Sequence, residues 1–221
     1  MKITVITVCL NSEKTIERTI NSILKQKYQN IEFIVIDGKS TDDTINIVNK
    51  YKSKIHKIIS EKDDGIYDAI NKGIKICSGD VISILHSDDS FINEDVLSNV
   101  VKHFAKEEKI ECLIGNTIIT KNNKILRKYF SKIFKPWMIY FGFSPPHPSS
   151  FFKKKIYEKY GLFKTKYNIA GDFEFFLRTL LLKKVLFKTV SENYVNMLSG
   201  GKSTYSVKSN LVSSIELLNA F

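Results

Sequence analysis

Short apolar runs alternate with helix-like patterns through the first half of the chain. The runs are rich in β-branched side chains, which is typical of buried strands. We predict strands at residues 3–8, 31–36, 55–60 and 81–85. Apolar residues at helical spacing follow each run, as Ile16, Ile20, Ile23 and Leu24 do after the first. Four strand–helix units in succession predict an α/β fold with a central, mainly parallel sheet and helices on both faces.

The second half of the chain has a different pattern. Two strand-like runs at 112–120 and 125–130 flank a polar turn and predict a β-hairpin. Ala170-Gly171-Asp172 opens a predicted helix, and a last strand at 185–190 precedes a glycine-containing loop at 197–206. Shorter elements are predicted between these, namely a helix at 136–143, a strand at 149–152 and a helix at 156–160. At 221 residues, without an internal repeat, we treat the chain as one domain.

Polar side chains stand at the carboxyl ends of the predicted strands. Asn11 follows the first strand, Asp37 ends the second, and Asp88 and Asp89 follow the fourth on a predicted strand-end loop. These ends meet at one edge of a parallel sheet, where ligands bind. Adjacent carboxylates repel each other unless a cation lies between them, and Mg²⁺ and Mn²⁺ prefer oxygen ligands shared with phosphate. The sequence therefore predicts a metal–phosphate site, with a turn and helix N-cap before the helix at 96–104 as the alternative.

The loop after the first strand limits which nucleotide sites are compatible with the sequence. Residues 7–12 contain no glycine, whereas dinucleotide-binding folds and P-loops hold phosphates with a glycine-rich loop at this position. An acid that ends the second strand, such as Asp37, still suits a ribose contact. Together with a metal that holds a diphosphate at Asp88 and Asp89, it predicts a nucleotide-sugar site.

Composition adds a second theme, which is positive charge. The hydrophobic fraction of 43% and the aromatic fraction of 12% suffice for a sizeable core. The net charge of +11 suggests nucleic acid or an anionic membrane surface as a partner, although a Lys-, Ile- and Asn-rich composition also arises from genomic bias. Three aromatic residues are candidates for acceptor stacking, membrane contact or core packing: Trp137, Phe141 and Phe143.

The cellular setting is predicted from the cysteines and the apolar segments. The three cysteines lack CxxC spacing, which argues against structural zinc and a disulfide framework and fits a reducing cytosol. No apolar stretch reaches the roughly 18 residues of a membrane span, and the first residues do not follow the pattern of a signal peptide. We therefore expect a cytoplasmic protein, with peripheral contact at the inner face of the membrane.

A series of short motifs occurs in a fixed order along the chain. They include IDGKSTDDT at 36–44, EKDDGIYDAINKG at 61–73, SDD at 87–89, HPSSFF at 147–152 and AGDFE at 170–174. In this order and spacing, from residue 2 to about 203, the chain resembles family 2 glycosyltransferases of the glycosyltransferase-A fold. The subgroup that it resembles most builds bacterial surface polysaccharides. This resemblance implies a Rossmann-like nucleotide-sugar-binding half at 1–110 and an acceptor and catalytic half at 111–221 that ends in a C-terminal helix.

The resemblance also implies roles for individual residues. It implies that Thr7 and Asp37 contact the nucleoside, usually uridine, and that Asp88 and Asp89 occupy the DXD-type position, with Asp89 the stronger metal ligand. It implies that Asp172 is the general base; Glu174 lies about 200° away around the helix, and periodicity alone does not choose between them. Further candidates for the donor site are Asn11, Asp63, Lys72, His147 and Lys202. Each has a structural alternative, such as capping of the helix by Asp63, solvation of Lys72 or a turn position for His147.

Two departures from the family pattern are visible. His86 stands where relatives often carry Asn or Asp, and it either adds a metal or phosphate contact or only fills space. No histidine follows Asp172, where many relatives have a metal-binding one. The QxxRW motif of processive synthases is absent, which favours a single-addition enzyme.

The predicted function is therefore an inverting transfer of one hexosyl or N-acetylhexosaminyl unit, dependent on Mn²⁺ or Mg²⁺. The donor is a nucleotide-diphosphate sugar, with UDP favoured, and the acceptor is a hydroxyl of a glycan or lipid-linked saccharide. No nucleic-acid partner is predicted. The alternatives are a nucleotidyltransferase and a non-enzymatic basic module that binds nucleic acid or membrane.

Overall fold

The computed structural model describes residues 1–122, 124–200 and 207–220, which contain nine strands and seven α-helices. The strands are β1 (Ile3–Cys9), β2 (Ile31–Asp37), β3 (Lys57–Ser60), β4 (Val81–Ile84), β5 (Asp89–Phe91), β6 (Cys112–Lys121), β7 (Lys124–Tyr129), β8 (Ser150–Lys153) and β9 (Phe187–Leu198). The helices are α1 (Ile16–Leu24), α2 (Thr44–Lys50), α3 (Ile66–Ile76), α4 (Val96–Lys106), α5 (Lys154–Tyr160), α6 (Gly171–Phe176) and α7 (Val207–Leu218). A π-helix at Leu177–Leu182 continues α6 directly.

All nine strands form one sheet in the order β3-β2-β1-β4-β8-β6-β9-β5, with β7 beside β6. The pairs β3–β2, β2–β1 and β1–β4 are parallel, and so is β6–β9. β8 lies antiparallel between β4 and β6, and β5 and β7 are antiparallel to β9 and β6. The predicted α/β class with a mainly parallel sheet is confirmed. Because β5 pairs with β9, the same sheet joins the first half of the chain to the second.

Two hydrophobic cores lie on the two faces of this sheet. In β1, Ile6 and Val8 belong to the core that includes residues of α3, α5 and α6. Ile3 and Val5 belong to the other core, which includes residues of α1, α2 and α4. Alternate residues of a strand point to opposite faces, so the unbroken apolar run of β1 is what a strand covered on both sides requires. This confirms the prediction of helices on both faces.

Three predicted elements have different bounds in the structure. The strand expected at 55–60 begins only at Lys57, and the helix expected at 136–143 is a 3₁₀ helix, Pro136–Phe141, that Gly142 ends with a φ of 79°. The last strand runs through Leu198, so the start of the loop predicted at 197–206 is strand. Pairing with β6 on one side and β5 on the other satisfies its backbone groups despite polar interruptions. Residues 201–206, with Lys202, lie outside the described part of the chain.

Within the described ranges, no helix has the length and hydropathy that crossing a membrane requires.

Candidate active site

The carboxyl ends of β1 and β2 are tied together by Asn11. Its backbone φ of 50° lies in the left-handed region, which asparagine tolerates better than most residues. From there its amide N–H donates to Ser40 Oγ (2.8 Å), and its side-chain oxygen accepts from the Thr41 amide (2.9 Å). The two strand-end loops are thereby held side by side, as the parallel topology predicts. These contacts of Asn11 are structural, and its role in donor binding stays a prediction.

Asp37 is fully buried at the end of β2. Its carboxylate accepts hydrogen bonds from the Ser40 amide (3.1 Å), from the Ser40 hydroxyl and from the Ser60 hydroxyl (2.6 Å). These donors fix the carboxylate at the sheet edge. This arrangement is compatible both with a cap of the loop and with a contact to a nucleoside. Thr7 is also fully buried, but it lies two residues inside β1 and its hydroxyl has no hydrogen-bond partner among the described residues. The role of Thr7 at a nucleoside stays a prediction.

Asp89 differs from its predicted loop position, because it is the first residue of β5, paired with Met197, and only 1% exposed. Neither of its carboxylate oxygens, both buried, has a hydrogen-bond partner in the part of the chain that the structure describes. Burial raises the pKa of Asp89 well above its ordinary value, neighbouring Asp88 raises it further, and Arg18 opposes both. Asp88 is half-buried beside it. A buried carboxylate without a protein partner is costly, so this pair is a candidate site for a positively charged ligand.

Helix α1 supports the turn that carries these carboxylates. The Thr19 hydroxyl lies within hydrogen-bond distance of the carbonyl oxygens of Ser87 (2.9 Å) and Asp89 (2.6 Å). One Nη of Arg18 donates to Ser90 Oγ (2.5 Å) and to the carbonyl of Asn196 (3.0 Å), while Nη1 is buried without a partner among the described residues. Sequence reasoning missed both residues. A signal existed for Thr19, which is a hydroxyl residue three positions after Ile16 on the buried stripe of α1.

Replacing Thr19 by Val should loosen this turn without changing the volume of the core. We expect a loss of about 1–3 kcal/mol in the free energy of unfolding, because buried carbonyls lose their donor, and weaker Mn²⁺-dependent UDP binding. Urea denaturation and calorimetric titration measure the two effects. Thr15→Val is the matched control, since the Thr15 hydroxyl makes a long contact, 3.4 Å, to the Ser12 carbonyl. Unchanged stability and nucleotide affinity in Thr19→Val would contradict the supporting role.

Two histidines face each other next to the turn. The rings of His86 and His147 lie 6.0 Å apart, and Nδ1 of His86 is buried without a hydrogen-bond partner within the described ranges. Burial lowers the pKa of both histidines, and that of His147 falls to about 3, with His86 as a further cause. Both imidazoles are therefore neutral near pH 7, the state in which a ring nitrogen binds a metal. For His86, a metal or phosphate contact stays a prediction that its buried, unpartnered Nδ1 supports.

The donor set at this turn fits a hard divalent cation. Both oxygens of Asp89 and Nδ1 of His86 are buried polar atoms that await a partner, and Asp88 adds negative charge beside them. Among the described residues, no group of three or more His, Cys, Asp or Glu side chains encloses a metal position. Mg²⁺ and Mn²⁺ at phosphate-transfer sites commonly take one or two carboxylates and complete their shell with phosphate and water. The residues present agree with that pattern.

Lys72 lies in an acidic group at the start of α3. Its Nζ is 2.6 Å from Asp63, 2.9 Å from Glu61 and 3.3 Å from Asp68. Asp63 in turn borders the end of β2, since a Cβ built on Gly38 would lie 3.0 Å from its Oδ2. These carboxylates raise the pKa of Lys72, and the pKa of Asp63 is still raised because burial outweighs the lysine. This charged group therefore lies beside the end of β2. The contact of Lys72 with a diphosphate and the contact of Asp63 with the donor stay predictions.

Asp172 and Glu174, which periodicity could not separate, have opposite surroundings. Asp172 is half-buried, its Oδ1 accepts from the Phe173 amide (2.8 Å), and the Tyr67 hydroxyl is 3.4 Å away. Burial raises the pKa of Asp172, and these hydrogen bonds offset only part of the increase. Glu174 is 2% exposed and holds Arg178 through both oxygens (3.0 and 2.9 Å). That pairing holds the pKa of Glu174 below its usual range, and it marks Glu174 as a structural ion pair.

The loop before Asp172 is held by two distant elements. Glu216 of α7 accepts hydrogen bonds from the backbone amides of residues 168–170, at 2.8 to 2.9 Å. From α3, the ring of Tyr67 packs against Gly171 so closely that a Cβ there would lie 2.7 Å from it. Its hydroxyl donates to the Ile169 carbonyl at 2.6 Å. Sequence reasoning missed Glu216, because no motif marks it and its partners lie more than forty residues away.

His147 connects the turn at residues 86–89 to the helix of Asp172. Its ring lies 6.0 Å from that of His86 and 6.0 Å from that of Phe176. Phe176 follows Asp172 by four residues, so the two share one side of the helix. His147 therefore packs between His86, in the turn that carries Asp88 and Asp89, and the helix that carries Asp172. A second group of side chains lies at the end of β2 and consists of Asn11, Asp37, Asp63 and Lys72.

Comparison with known families gives one clear match. The model of Glycosyl transferase family 2 matches residues 4–180. An uncharacterised glycosyltransferase of Mycobacterium tuberculosis is 32% identical over 190 residues, which cover 81% of this chain and 69% of that protein. The UDP-Glc:alpha-D-GlcNAc-diphosphoundecaprenol beta-1,3-glucosyltransferase WfaP of Escherichia coli is 36% identical over 121 residues, which cover 54% of this chain and 47% of WfaP.

Solved structures share the fold at lower sequence identity. TarS of S. aureus, as residues 1–349 in complex with UDP-GlcNAc, superposes with a TM-score of 0.78 at 21% identity, over 99% of this chain and 67% of that one. The mannosyltransferase PcManGT of Pyrobaculum calidifontis, in complex with GDP-Man and Mn²⁺, gives a TM-score of 0.64 at 19% identity, over 90% of this chain and 56% of that one. At these identities the likeness is one of fold.

Proposed function

The chain belongs to glycosyl transferase family 2 and is a glycosyltransferase, and from this premise we propose that it transfers one sugar from a UDP-sugar to a hydroxyl of a lipid-linked saccharide. The transfer inverts the configuration at the anomeric carbon. Asp89, with Asp88 beside it, holds the divalent cation, and Asp172 is the general base. Residues 1–110 supply the donor site and residues 111–221 supply the base and the acceptor side.

One observation carries this proposal, which is that two carboxylates with unlike surroundings lie on the two elements between which His147 packs. Asp89 has no hydrogen-bond partner for either oxygen among the described residues, which suits a cation ligand. Asp172 is positioned at a helix start with a raised pKa, which suits a proton acceptor working near neutral pH. Carboxylates whose environments give them different tasks are the usual arrangement of an active site. His147 packs against His86 on one side and against Phe176, in the helix of Asp172, on the other.

The reaction follows from these positions. The acceptor hydroxyl attacks the anomeric carbon, its oxygen forms the new glycosidic bond, and the bond from that carbon to the diphosphate oxygen breaks. Asp172 takes the proton of the hydroxyl, and the Phe173 amide and Tyr67 keep its carboxylate oriented. A divalent cation at Asp89 supplies charge neutralisation for the departing diphosphate, which is worth several kcal/mol in such sites.

Donor, metal and acceptor are each supported by a related protein. The complex of TarS with UDP-GlcNAc supports a UDP-sugar donor, and the complex of PcManGT with Mn²⁺ supports the cation. The name of WfaP specifies a diphosphoundecaprenol-linked acceptor, which supports a lipid-linked saccharide of surface-polysaccharide synthesis, although this chain spans less than half of WfaP. All three cysteines are unpaired and buried, in agreement with the reducing cytoplasm in which we place the reaction.

Calorimetric titration with UDP, with and without Mn²⁺, tests the proposal. We expect Mn²⁺ to tighten UDP binding at least tenfold, because the cation joins the diphosphate to the unpartnered carboxylate. Titrations with GDP and dTDP under the same conditions serve as the nucleotide control and should give weaker binding. Equal affinity with and without Mn²⁺ would overturn the metal assignment. Preference for another nucleotide would overturn the UDP assignment alone, and DNA binding without UDP binding would favour a basic binding module.

A further inference from the structure

The central part of the chain is rich in positive charge and free of negative charge. Between Glu111 and Glu158 the sequence has nine Lys or Arg residues and no Asp or Glu, against a net charge of +11 for the whole chain. Lys153, Lys154 and Lys155 contact the main body of the protein, at Glu108, Glu158 and Glu111. The other six lie between residues 121 and 135, and within the described part of the chain none of them forms a salt bridge. They are Lys121, Lys124, Arg127, Lys128, Lys132 and Lys135.

The same segment exposes an exceptional amount of apolar surface. Every exposed large aromatic side chain among the described residues lies between positions 130 and 143. These are Phe130, Trp137, Tyr140, Phe141 and Phe143, with 53% to 71% of each side chain exposed. Ile125, Leu126 and Ile133 add aliphatic side chains that are 57% to 66% exposed. Soluble proteins rarely leave such a group open to water unless it binds something.

The exposed side chains belong to an ordered part of the fold. Phe134 and Ile139 are buried and anchor the segment in the core, and the ring of Phe134 contacts Phe187 of β9. Trp137 and Phe141 meet edge to face at 5.9 Å across the 3₁₀ helix. The apolar side chains are therefore presented outward by a fixed scaffold, and their exposure is a feature of the native structure.

A second element extends this surface. Leu182, at the end of the π-helix, and Leu186 are 59% and 56% exposed, and they flank Lys183 and Lys184. An open cavity of about 370 Å³ lies between them and the aromatic segment, lined among others by Pro136, Leu181 and Phe187. We name the whole area, residues 121–143 with 182–186, the basic–aromatic face.

The chemistry of this face points to a lipid bilayer. A nucleic acid would use the lysines but would leave the aliphatic and aromatic side chains in water, and a protein partner would have to neutralise the cations between residues 121 and 135. A membrane interface takes both groups at once, because aromatic side chains enter the boundary of the acyl chains while Lys and Arg reach up to anionic headgroups. The absence of any acidic residue between Glu111 and Glu158 removes the repulsion that such headgroups would otherwise meet.

We propose that the basic–aromatic face docks on an anionic lipid bilayer. Trp137, Phe141 and Phe143 insert at the interface, and the lysines around them contact the phosphate groups. Helix α6, which carries Asp172 in its first turn, continues through the π-helix to Leu182 in this face. The docking itself does not depend on the sugar-transfer proposal, although it would bring a lipid-linked acceptor within reach of Asp172.

The unmodified protein offers a direct test, because Trp137 is its single tryptophan. Vesicles of equal parts phosphatidylcholine and phosphatidylglycerol should shift its fluorescence to the blue, and brominated acyl chains in those vesicles should quench it. Vesicles of phosphatidylcholine alone should have little effect. An unchanged spectrum with the anionic vesicles would overturn the proposal.

Vesicle co-sedimentation of variants then assigns the contact to this face. The triple change Trp137→Ser, Phe141→Ser and Phe143→Ser should reduce the bound fraction at least tenfold, and so should Lys124→Glu, Lys128→Glu and Lys132→Glu together. The matched charge control is Lys50→Glu, Lys52→Glu and Lys54→Glu, three exposed lysines beside β3 at the far edge of the sheet, which should bind as the parent does. Equal loss in this control would overturn the assignment, since binding would then follow net charge alone.

Two further measurements distinguish docking from misfolding of the variants and from self-association of the chain. Melting temperature and UDP binding of each variant should match the parent, because the changed side chains are exposed, or half-buried in the case of Lys128, and lie outside the proposed donor site. Light scattering without lipid should show the same mass at all concentrations. A concentration-dependent dimer that the aromatic variant abolishes would overturn the proposal in favour of a second copy of the chain on this face.

Discussion

Asp89→Asn should give a protein that is more stable without ligands and that no longer binds UDP in a Mn²⁺-dependent way. The parent carboxylate is buried, and neither oxygen has a hydrogen-bond partner among the described residues. Burial of a charged group without a partner is costly, so removal of the charge should raise the free energy of unfolding at any pH at which the parent carboxyl is ionised. Urea denaturation measures the gain, and calorimetric titration with UDP and Mn²⁺ measures the loss of binding.

The pH dependence of this stability has a defined sign. The pKa of Asp89 is raised in the folded state, so the native protein takes up a proton at a higher pH than the unfolded chain does. The contribution of Asp89 to stability is therefore unfavourable above the folded pKa, and it is relieved as the pH falls through that value. Asp89→Asn should lack this increase on acidification. Asp88→Asn, a half-buried neighbour, is the control and should change stability far less. A less stable Asp89→Asn variant with parental UDP–Mn²⁺ affinity would contradict the assignment.

The burial of Asp89 could not be predicted from the hydrophobic pattern of the sequence. β5 has only three residues, Asp89–Phe91, which is too short for any hydrophobic period to register. It exists because β9 passes beside it, and β9 is twelve residues long although Ser191, Glu192 and Asn193 interrupt its apolar pattern. Pairing between strands more than a hundred residues apart in sequence thus placed Asp89 in the sheet, and the sequence around Asp89 predicts only a turn.

The strands that were predicted correctly are determined by short local patterns in the sequence. β1, β2 and β4 are short β-branched runs bounded by turns, and each agrees with its predicted span to within about one residue. Parallel order then brings their carboxyl ends to one edge, so the positions of Asp37 and the 86–89 turn followed from topology. The residues that support the site could not be predicted in this way, because Thr19 and Glu216 form hydrogen bonds with backbone groups 46 to 70 residues away.

The resemblance favours Asp172 over Glu174 as the base, and the structure adds a physical argument for the same choice. Both residues lie in the first turn of α6, and rotation along the helix separates them without saying which one faces the ligand. Glu174 forms salt bridges with two cations, Arg178 one turn later in the same helix and Lys164 in the preceding loop. Asp172 has no cationic partner within 4 Å among the described residues, so its carboxylate is available for a proton.

Asp172→Asn should bind UDP and Mn²⁺ as the parent does and transfer sugar about 10²–10⁴-fold more slowly, because the amide cannot accept the acceptor proton. In the parent, the rate should fall as the pH decreases through the pKa of Asp172, which lies above the ordinary value of 3.8. That acid limb should be missing in the residual activity of the variant. Single-turnover transfer with radiolabelled UDP-sugar, measured across pH, reports both effects.

Glu174→Gln is the matched control, two residues away with the same loss of one charge. Its expected effect is on stability, on the order of 3 kcal/mol, because Arg178 and Lys164 lose a buried partner. The rate per folded molecule should stay within a few-fold of the parent. A dead Glu174→Gln variant beside an active Asp172→Asn variant would invert the assignment of the base. If both transfer sugar at the parental rate, the base lies elsewhere, while the donor site at Asp89 would still stand on its own titration.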